Sequence, residues 1–153
     1  MDSKIKSREI ISYFDEGGNV IVMADVDTSV SYRKLFHAFG VELDAPATQL
    51  KDHFNNHQSS TLIKTSNYEA VSPFFNSQHG KAPLLYRGVG MSLVNYENHQ
   101  LYGLVNAEPT TFSKDYRSGQ AVRAGSSITL VAGVQGLNNA RALLTGSLHF
   151  FSN

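Results

Sequence analysis

The sequence has no cysteine. That absence removes disulfide bridges, thiolate nucleophiles and cysteine-ligated metal centres together, and it favours a reducing compartment. Excess charge of either sign is also missing: 13 basic side chains balance 13 acidic ones, for a formal net charge of zero. With no basic block, electrostatic capture of nucleic acid or of an anionic membrane is not expected. No apolar run approaches the roughly 20 residues that span a bilayer. Residues 1–16 are polar and helical in pattern and show no signal peptide. No Asn-x-Ser/Thr acceptor occurs, so no N-glycan is expected. Internal repeats and low-complexity stretches are absent too.

What is present suits a folded chain. At 153 residues, 41% hydrophobic and 17% charged, residues 1–153 are expected to form one domain with a real core rather than a disordered segment. Residues 3–16 read as a helix with Ile10, Ile11 and Phe14 on one face and Gly17-Gly18 as its stop. Asn19 to Ala24, with Val20, Ile21, Val22 and Met23, reads as a strand covered on both sides. Tyr32, Leu35, Phe36 and Phe39 form a helical stripe, preceded by Thr28 or Ser29 as N-cap and ended by Gly40. Residues 41–43 and 61–65 read as short strands, and 46–56 as loop with a helical turn. Residues 66–83 read as a surface excursion with a short helix at 68–71. Residues 84–94 suit one strand broken by Gly88 and Gly90, 101–105 a further strand, and 115–125 a linker.

The last third is the most informative stretch. Apolar runs at 128–134 and 140–144 flank Gly136, Asn138 and Asn139, which favours a hairpin because Asn tolerates positive φ. Gly146-Ser147 then turns the chain off the strand end. Strands alternating with helices early and paired late give an expected α/β fold: a mostly parallel sheet flanked by helices, with added antiparallel strands. In open sheets of that kind the carboxyl edge is where ligands sit.

Several strings carry the residue types of catalytic or binding motifs. Arg87-Gly88-Val89-Gly90-Met91-Ser92-Leu93 begins like a dinucleotide fingerprint, but Leu93 replaces the third glycine and no helical pattern follows, so the glycines are read as bending a strand. His53 and His57 are spaced to share a helical face. Phe54 stands where a zinc hydrolase needs Glu, and no third ligand is near, so these are read as surface histidines. Gly125-Ser126 and Gly146-Ser147 place serines after glycines, yet neither completes the nucleophile elbow. Ser147 is read as a turn residue or cap, with His149 the nearest base in sequence. Asp25 and Asp27, with Asp15-Glu16 before them, offer carboxylates at a strand end for acid–base work or a cation, or as caps of the following helix. Tyr96, Tyr102, Phe112 and Tyr116 are candidates for stacking on sugars or for an interface. No cofactor and no metal are expected.

Five of these strings recur together and in order in one family. Gly17-Gly18-Asn19-Val20-Ile21-Val22, Arg87-Gly88-Val89-Gly90-Met91, Leu130-Val131-Ala132-Gly133-Val134-Gln135, Asn138-Asn139-Ala140-Arg141 and Gly146-Ser147-Leu148-His149-Phe150-Phe151-Ser152 resemble the 48-kDa subunits of the eukaryotic oligosaccharyltransferase. The resemblance runs from about residue 14 to 153, with two departures. His149 stands where the family carries an acidic residue, and 55–81 matches poorly.

The resemblance implies an accessory, non-catalytic subunit of a complex that transfers oligosaccharide from dolichyl diphosphate to asparagine at the endoplasmic reticulum. It implies a multi-spanning catalytic subunit and ribophorin-type subunits as partners, with glycan as a further candidate ligand. It also implies a fold similar to class I glutamine amidotransferases, flavodoxin-like, whose nucleophilic cysteine this chain lacks. Residues 1–153 would then be an excised luminal segment with an added start methionine. A signal peptide would precede it in the whole subunit, and a membrane anchor would follow outside this fragment. A strand expected before residue 3 would be missing, leaving a sheet edge open to weak self-association.

Three functions follow as expectations. The first is an interaction domain resting on Gly88, Gly90, Asn138, Asn139, Gly146 and Ser147 as structural residues. The second is a carbohydrate-binding module holding glycan at 25–29 and 146–152. The third is a small hydrolase using Ser147 or His149.

Overall fold

The computed structural model of the chain describes residues 5–69, 71–72, 74–76, 82–94 and 100–151. Helix α1 (Ser7–Asp15) leads to β1 (Val20–Met23), α2 (Val30–Ala38) and β2 (Val41–Leu43). Then come β3 (Thr48–Lys51), β4 (Asn56–His57), β5 (Ser59–Thr65), β6 (Asn67–Tyr68), β7 (Val71–Ser72), β8 (Phe75–Asn76) and β9 (Leu84–Tyr86). They are followed by β10 (Met91–Leu93), β11 (Gln100–Asn106), β12 (Phe112–Asp115), β13 (Ala121–Ala124), β14 (Thr129–Gln135) and β15 (Arg141–Thr145). A 3-10 helix covers Leu148–Phe151.

Local chemistry explains both helices. The Lys6 N–H donates to the Glu9 carboxylate (2.9 Å) at the start of α1, and Gly17, at φ 101°, donates to the Phe14 carbonyl at its end. Ser29 Oγ accepts the Tyr32 N–H at a long 3.4 Å to open α2, and Gly40 at φ 80° closes it. The two helices meet through Phe14 and Phe39, packed edge to face with ring centroids 5.2 Å apart.

The main sheet runs β1-β15-β14-β10-β2, with β11 also on β14 and β6 on β11. Its middle strand, β14, is buried at six of seven positions. Smaller sheets join β13-β12-β3, β4-β5-β9 and β7-β8. Among the described residues β1 and β15 make the one parallel pairing, Val20 opposite Ala142 through Met23 opposite Thr145. The other strand pairs are antiparallel.

The expectation of a mostly parallel, flavodoxin-like sheet with helices on both faces is therefore wrong. Phe14, Leu35, Phe36 and Phe39 from the helices pack on one face, with Ala142 and Leu144 of β15. The opposite face, with Leu143, is covered by Ile63, Tyr86 and Phe150, from strands and the 3-10 helix. An apolar run reports burial on both faces and does not say whether a helix or another strand supplies the cover. Burying Leu35 and Phe36 completely contributes on the order of 2–3 kcal/mol each.

Four other expectations change. Residues 48–51 form β3 instead of a loop or helical turn, and Tyr68 and Val71 sit in separate strands rather than one short helix. Residues 115–125, read as a linker, contain β13 and the turn from β12. Residues 84–94 form two strands, β9 and β10, because the segment between them pairs with other chain segments.

Candidate functional site

The parallel pair places the carboxyl ends of β1 and β15 side by side, and the Ala24 N–H extends the ladder to the Thr145 carbonyl (2.8 Å). Beyond that end the chain turns tightly. The Asp25 N–H donates to Thr28 Oγ1 (2.7 Å), the Val26 N–H to Asp25 Oδ1 (2.7 Å), and the Thr28 N–H to the Asp25 carbonyl (3.0 Å). The Thr28 N–H bond to the Asp25 carbonyl closes a β-turn over residues 25–28, and the Thr28 hydroxyl returns to cap the Asp25 N–H. Asp25 thus holds its own loop, and the cap of α2 is Ser29, not either aspartate. Asp27 Oδ1 accepts the Tyr116 hydroxyl at 3.3 Å. The Tyr116 phenol is raised above its ordinary pKa, first by desolvation and then by the Asp27 carboxylate. Asp25, Asp27, Ser29, Tyr32 and Leu148 surround a shallow pocket of about 470 Å³.

Behind this pocket lies a seam between the two glycine-containing strings. The Val89 N–H donates to the Gly146 carbonyl (2.9 Å), and Ser147 Oγ donates to the Arg87 carbonyl (2.5 Å). On its other side the same segment is held by Leu50 N–H to Gly88 carbonyl (3.1 Å) and Asp44 N–H to Gly90 carbonyl (2.9 Å). A Cβ on Gly88 would overlap the Gly146 carbonyl, so the two backbones touch only because glycine stands there. Tyr86, fully buried, donates to the Val89 carbonyl (2.9 Å), and burial pushes its phenol pKa far up. The seam brings Gly88, Gly90, Gly146 and Ser147 together.

Asn138 and Asn139 lie at the opposite end of β15. Asn139 has φ 66° at the corner joining β14 to β15. Asn138 accepts the Ala140 N–H and donates its amide to the Phe14 and Asp15 carbonyls at the end of α1 (3.2 and 2.7 Å). Carbonyls of a helix's last turn need donor partners from outside it, and this contact ties the hairpin to the end of α1.

His53 and His57 are exposed and not helical, and His53 packs on Phe112 with centroids 5.5 Å apart. Among the described residues no group of three metal-binding side chains exists. Tyr96 lies outside the described residues. Ser147, with no exposed surface, gives its hydroxyl to a backbone carbonyl. A nucleophile needs that hydroxyl on a base instead.

Sequence reading missed a buried charge. Asp44, its side chain 1% exposed, lies 3.1 Å from the Arg123 guanidinium, while Arg33 donates to the carbonyls of Thr28 and Asp44 (3.1 and 2.6 Å). Burial lowers the Arg33 pKa, and Asp44 partly offsets this. No local pattern announces a pair so far apart in sequence. Asp52 was missed as well: Oδ1 accepts the Phe54 and Asn55 N–H groups, and Oδ2 the Thr110 and Thr111 hydroxyls, at 2.7–2.9 Å.

The family model described as OST48, N-terminal domain matches residues 1–153. The chain belongs to this family. OST48-family relatives named dolichyl-diphosphooligosaccharide–protein glycosyltransferase 48 kDa subunit are 33% identical over 157 residues in Danio rerio and 31% over 155 in Caenorhabditis elegans. The Drosophila melanogaster protein of that name is 31% identical over 161. These alignments take in 95–97% of the chain but only 35–36% of the relatives. The chain thus spans about a third of the length of the curated relatives it matches. Among solved structures the mmIFT52 N-terminal domain superposes with a TM-score of 0.68 at 12% identity, covering 96% of this chain and 61% of that one. At that identity the likeness shows the fold alone, and it replaces the amidotransferase-like expectation for this OST48-family chain.

Proposed function

We propose that the chain serves as an accessory, non-catalytic domain in the oligosaccharyltransferase complex, which transfers oligosaccharide from dolichyl diphosphate to asparagine. The observation that carries this is the full-length family match, with relatives bearing the 48 kDa subunit name at 31–33% identity. In this reading the domain is a single luminal unit at the endoplasmic reticulum membrane. Its neighbours are a multi-spanning catalytic subunit and ribophorin-type subunits. The glycine seam supports a scaffold role, because its polar groups are spent on the chain's own backbone. Among the described residues no helix is long and apolar enough to cross a membrane.

The test is affinity capture of the tagged protein from mild-detergent membranes, followed by mass spectrometry. Recovery of the multi-spanning and ribophorin-type subunits in stoichiometric amounts is the expected result. Their absence from an intact, membrane-associated preparation would overturn the reading.

A further inference from the structure

A larger cleft, about 650 Å³, opens beside the start of β14, well within the ~300–1,000 Å³ of small-molecule sites. None of its residues belongs to the strand-end pocket or the glycine seam. Its wall holds Ser92 of β10, Tyr102 and Asn106 of β11, Arg123 of β13, and Ser127 and Glu69 from loops.

Three features make this a prepared surface. The β11–β14 pairing shifts register between Gly103 and Val105 and again before Asn106, which opens the sheet where the cleft forms. Asn106 is locked across that irregularity: its amide donates to the Gly103 carbonyl (3.1 Å), and its oxygen accepts the Thr129 hydroxyl (3.1 Å). The first bond uses one of the amide's two N–H donors and the second one of its oxygen's two lone pairs, leaving one N–H and one lone pair. Tyr102 is fixed at both ends, its hydroxyl donating to Gln100 (3.1 Å) and its ring 6.2 Å from that of Phe74.

The charge balance selects the ligand class. Among the described residues Arg123 is the cleft's one cation, and its guanidinium already neutralises buried Asp44 at 3.1 Å. Glu69 is its one carboxylate among the described residues. An anion meets Glu69 with no uncommitted positive charge to compensate. A metal ion meets a single carboxylate, too few ligands to hold it. A neutral polyol is favoured: its hydroxyls both donate and accept, matching serine hydroxyls, a carboxylate, a guanidinium and a half-used amide, while an apolar ring face lies on tyrosine. We propose that this cleft is a binding site for neutral saccharide.

The test is titration of the ¹⁵N-labelled chain with methyl α-mannopyranoside, methyl β-glucopyranoside and N-acetylglucosamine. Sugar is taken to concentrations on the order of tens of millimolar, the weak range of a shallow site. At least one sugar is expected to shift the amides of Ser92, Gly103, Asn106 and Ser127 saturably. Ser127→Trp, at an exposed position, should weaken that response tenfold or more while spectral dispersion is kept, and Tyr102→Ala should do the same. The proposal is overturned by silence with all three sugars, by shifts confined to the Asp25–Leu148 pocket, or by an unchanged response in Ser127→Trp. Inorganic phosphate shifting the same amides more strongly than any sugar would also overturn it. Complex membership is read by the co-purification above, so failure of one result leaves the other standing.

Discussion

The Ser147 hydroxyl and the Arg87 carbonyl are 2.5 Å apart in a region without solvent access to Ser147, and that bond closes the seam between the two glycine strings. The serine is a clasp. Ser147→Ala should lower unfolding free energy by about 1–2 kcal/mol, the usual loss when a buried acceptor gives up a neutral donor. Urea denaturation reads this directly. A variant as stable as the parent would mean that water takes over the carbonyl.

Gly88 makes a sharper prediction. A side chain there meets the Gly146 backbone, which cannot rotate aside, so Gly88→Ala should cost about 3 kcal/mol or more and reduce soluble yield. Gly119 is the control. It has φ 75° but nothing within 4 Å of an added Cβ, so Gly119→Ala should cost only about 1 kcal/mol from backbone strain. Equal losses at the two sites in thermal melts would show that the seam is looser than its hydrogen bonds imply.

Asp52 links stability to pH. Burial alone raises its carboxyl pKa, but the hydrogen bonds from Asn55, Thr110, Phe54 and Thr111 outweigh that and hold it below the ordinary carboxylate value. A depressed folded-state pKa contributes stability that is fully present above the unfolded value, about 3.9. The contribution is lost as pH falls through the folded value. Asp52→Asn should therefore destabilise the chain at neutral pH by about 2 kcal/mol, since two hydroxyl donors then face an amide N–H₂. The gap from the parent should narrow below roughly pH 4, where the unfolded parent's carboxylate begins to take up protons. A pH-independent gap in denaturant midpoints would refute this.

How far the sequence could be read depended on the range of each signal. The stripe Tyr32, Leu35, Phe36, Phe39 and the corner Asn138-Asn139 are local patterns, and α2 and the β14–β15 hairpin lie where they point. Strand direction is not local. Val20 to Met23 and Ala140 to Leu144 look alike as apolar runs, yet β15 lies parallel to β1 and antiparallel to β14. Strands β12 and β13 were hidden because Ser113, Lys114 and Arg123 give them a linker's composition. Ser113 is in fact fully buried. The saccharide cleft was the least legible part. Tyr102 was singled out as an aromatic, but Asn106, Arg123 and Ser127 come together only through pairings between distant strands.

The edge of the main sheet supplies a final prediction. Among the described residues β1 pairs with β15 alone, so its outer edge presents unpaired backbone groups. Val20-Ile21-Val22-Met23 contains no charge, no proline and no bulge, the devices that discourage edge-to-edge pairing. Ile21 is 60% exposed. A second copy can approach in antiparallel register without like-charge repulsion, and four residues a side make the contact weak. The isolated chain should therefore show concentration-dependent association in sedimentation velocity at tens to hundreds of micromolar, roughly the range of a small interface. Ile21→Lys should shift it toward monomer with a stability change within about 0.5 kcal/mol, because the side chain already faces solvent. A parent that stays monomeric across that range would show the edge to be protected by shape alone. Association that survives the lysine would move the contact to another exposed apolar position, such as Leu137 at the hairpin tip.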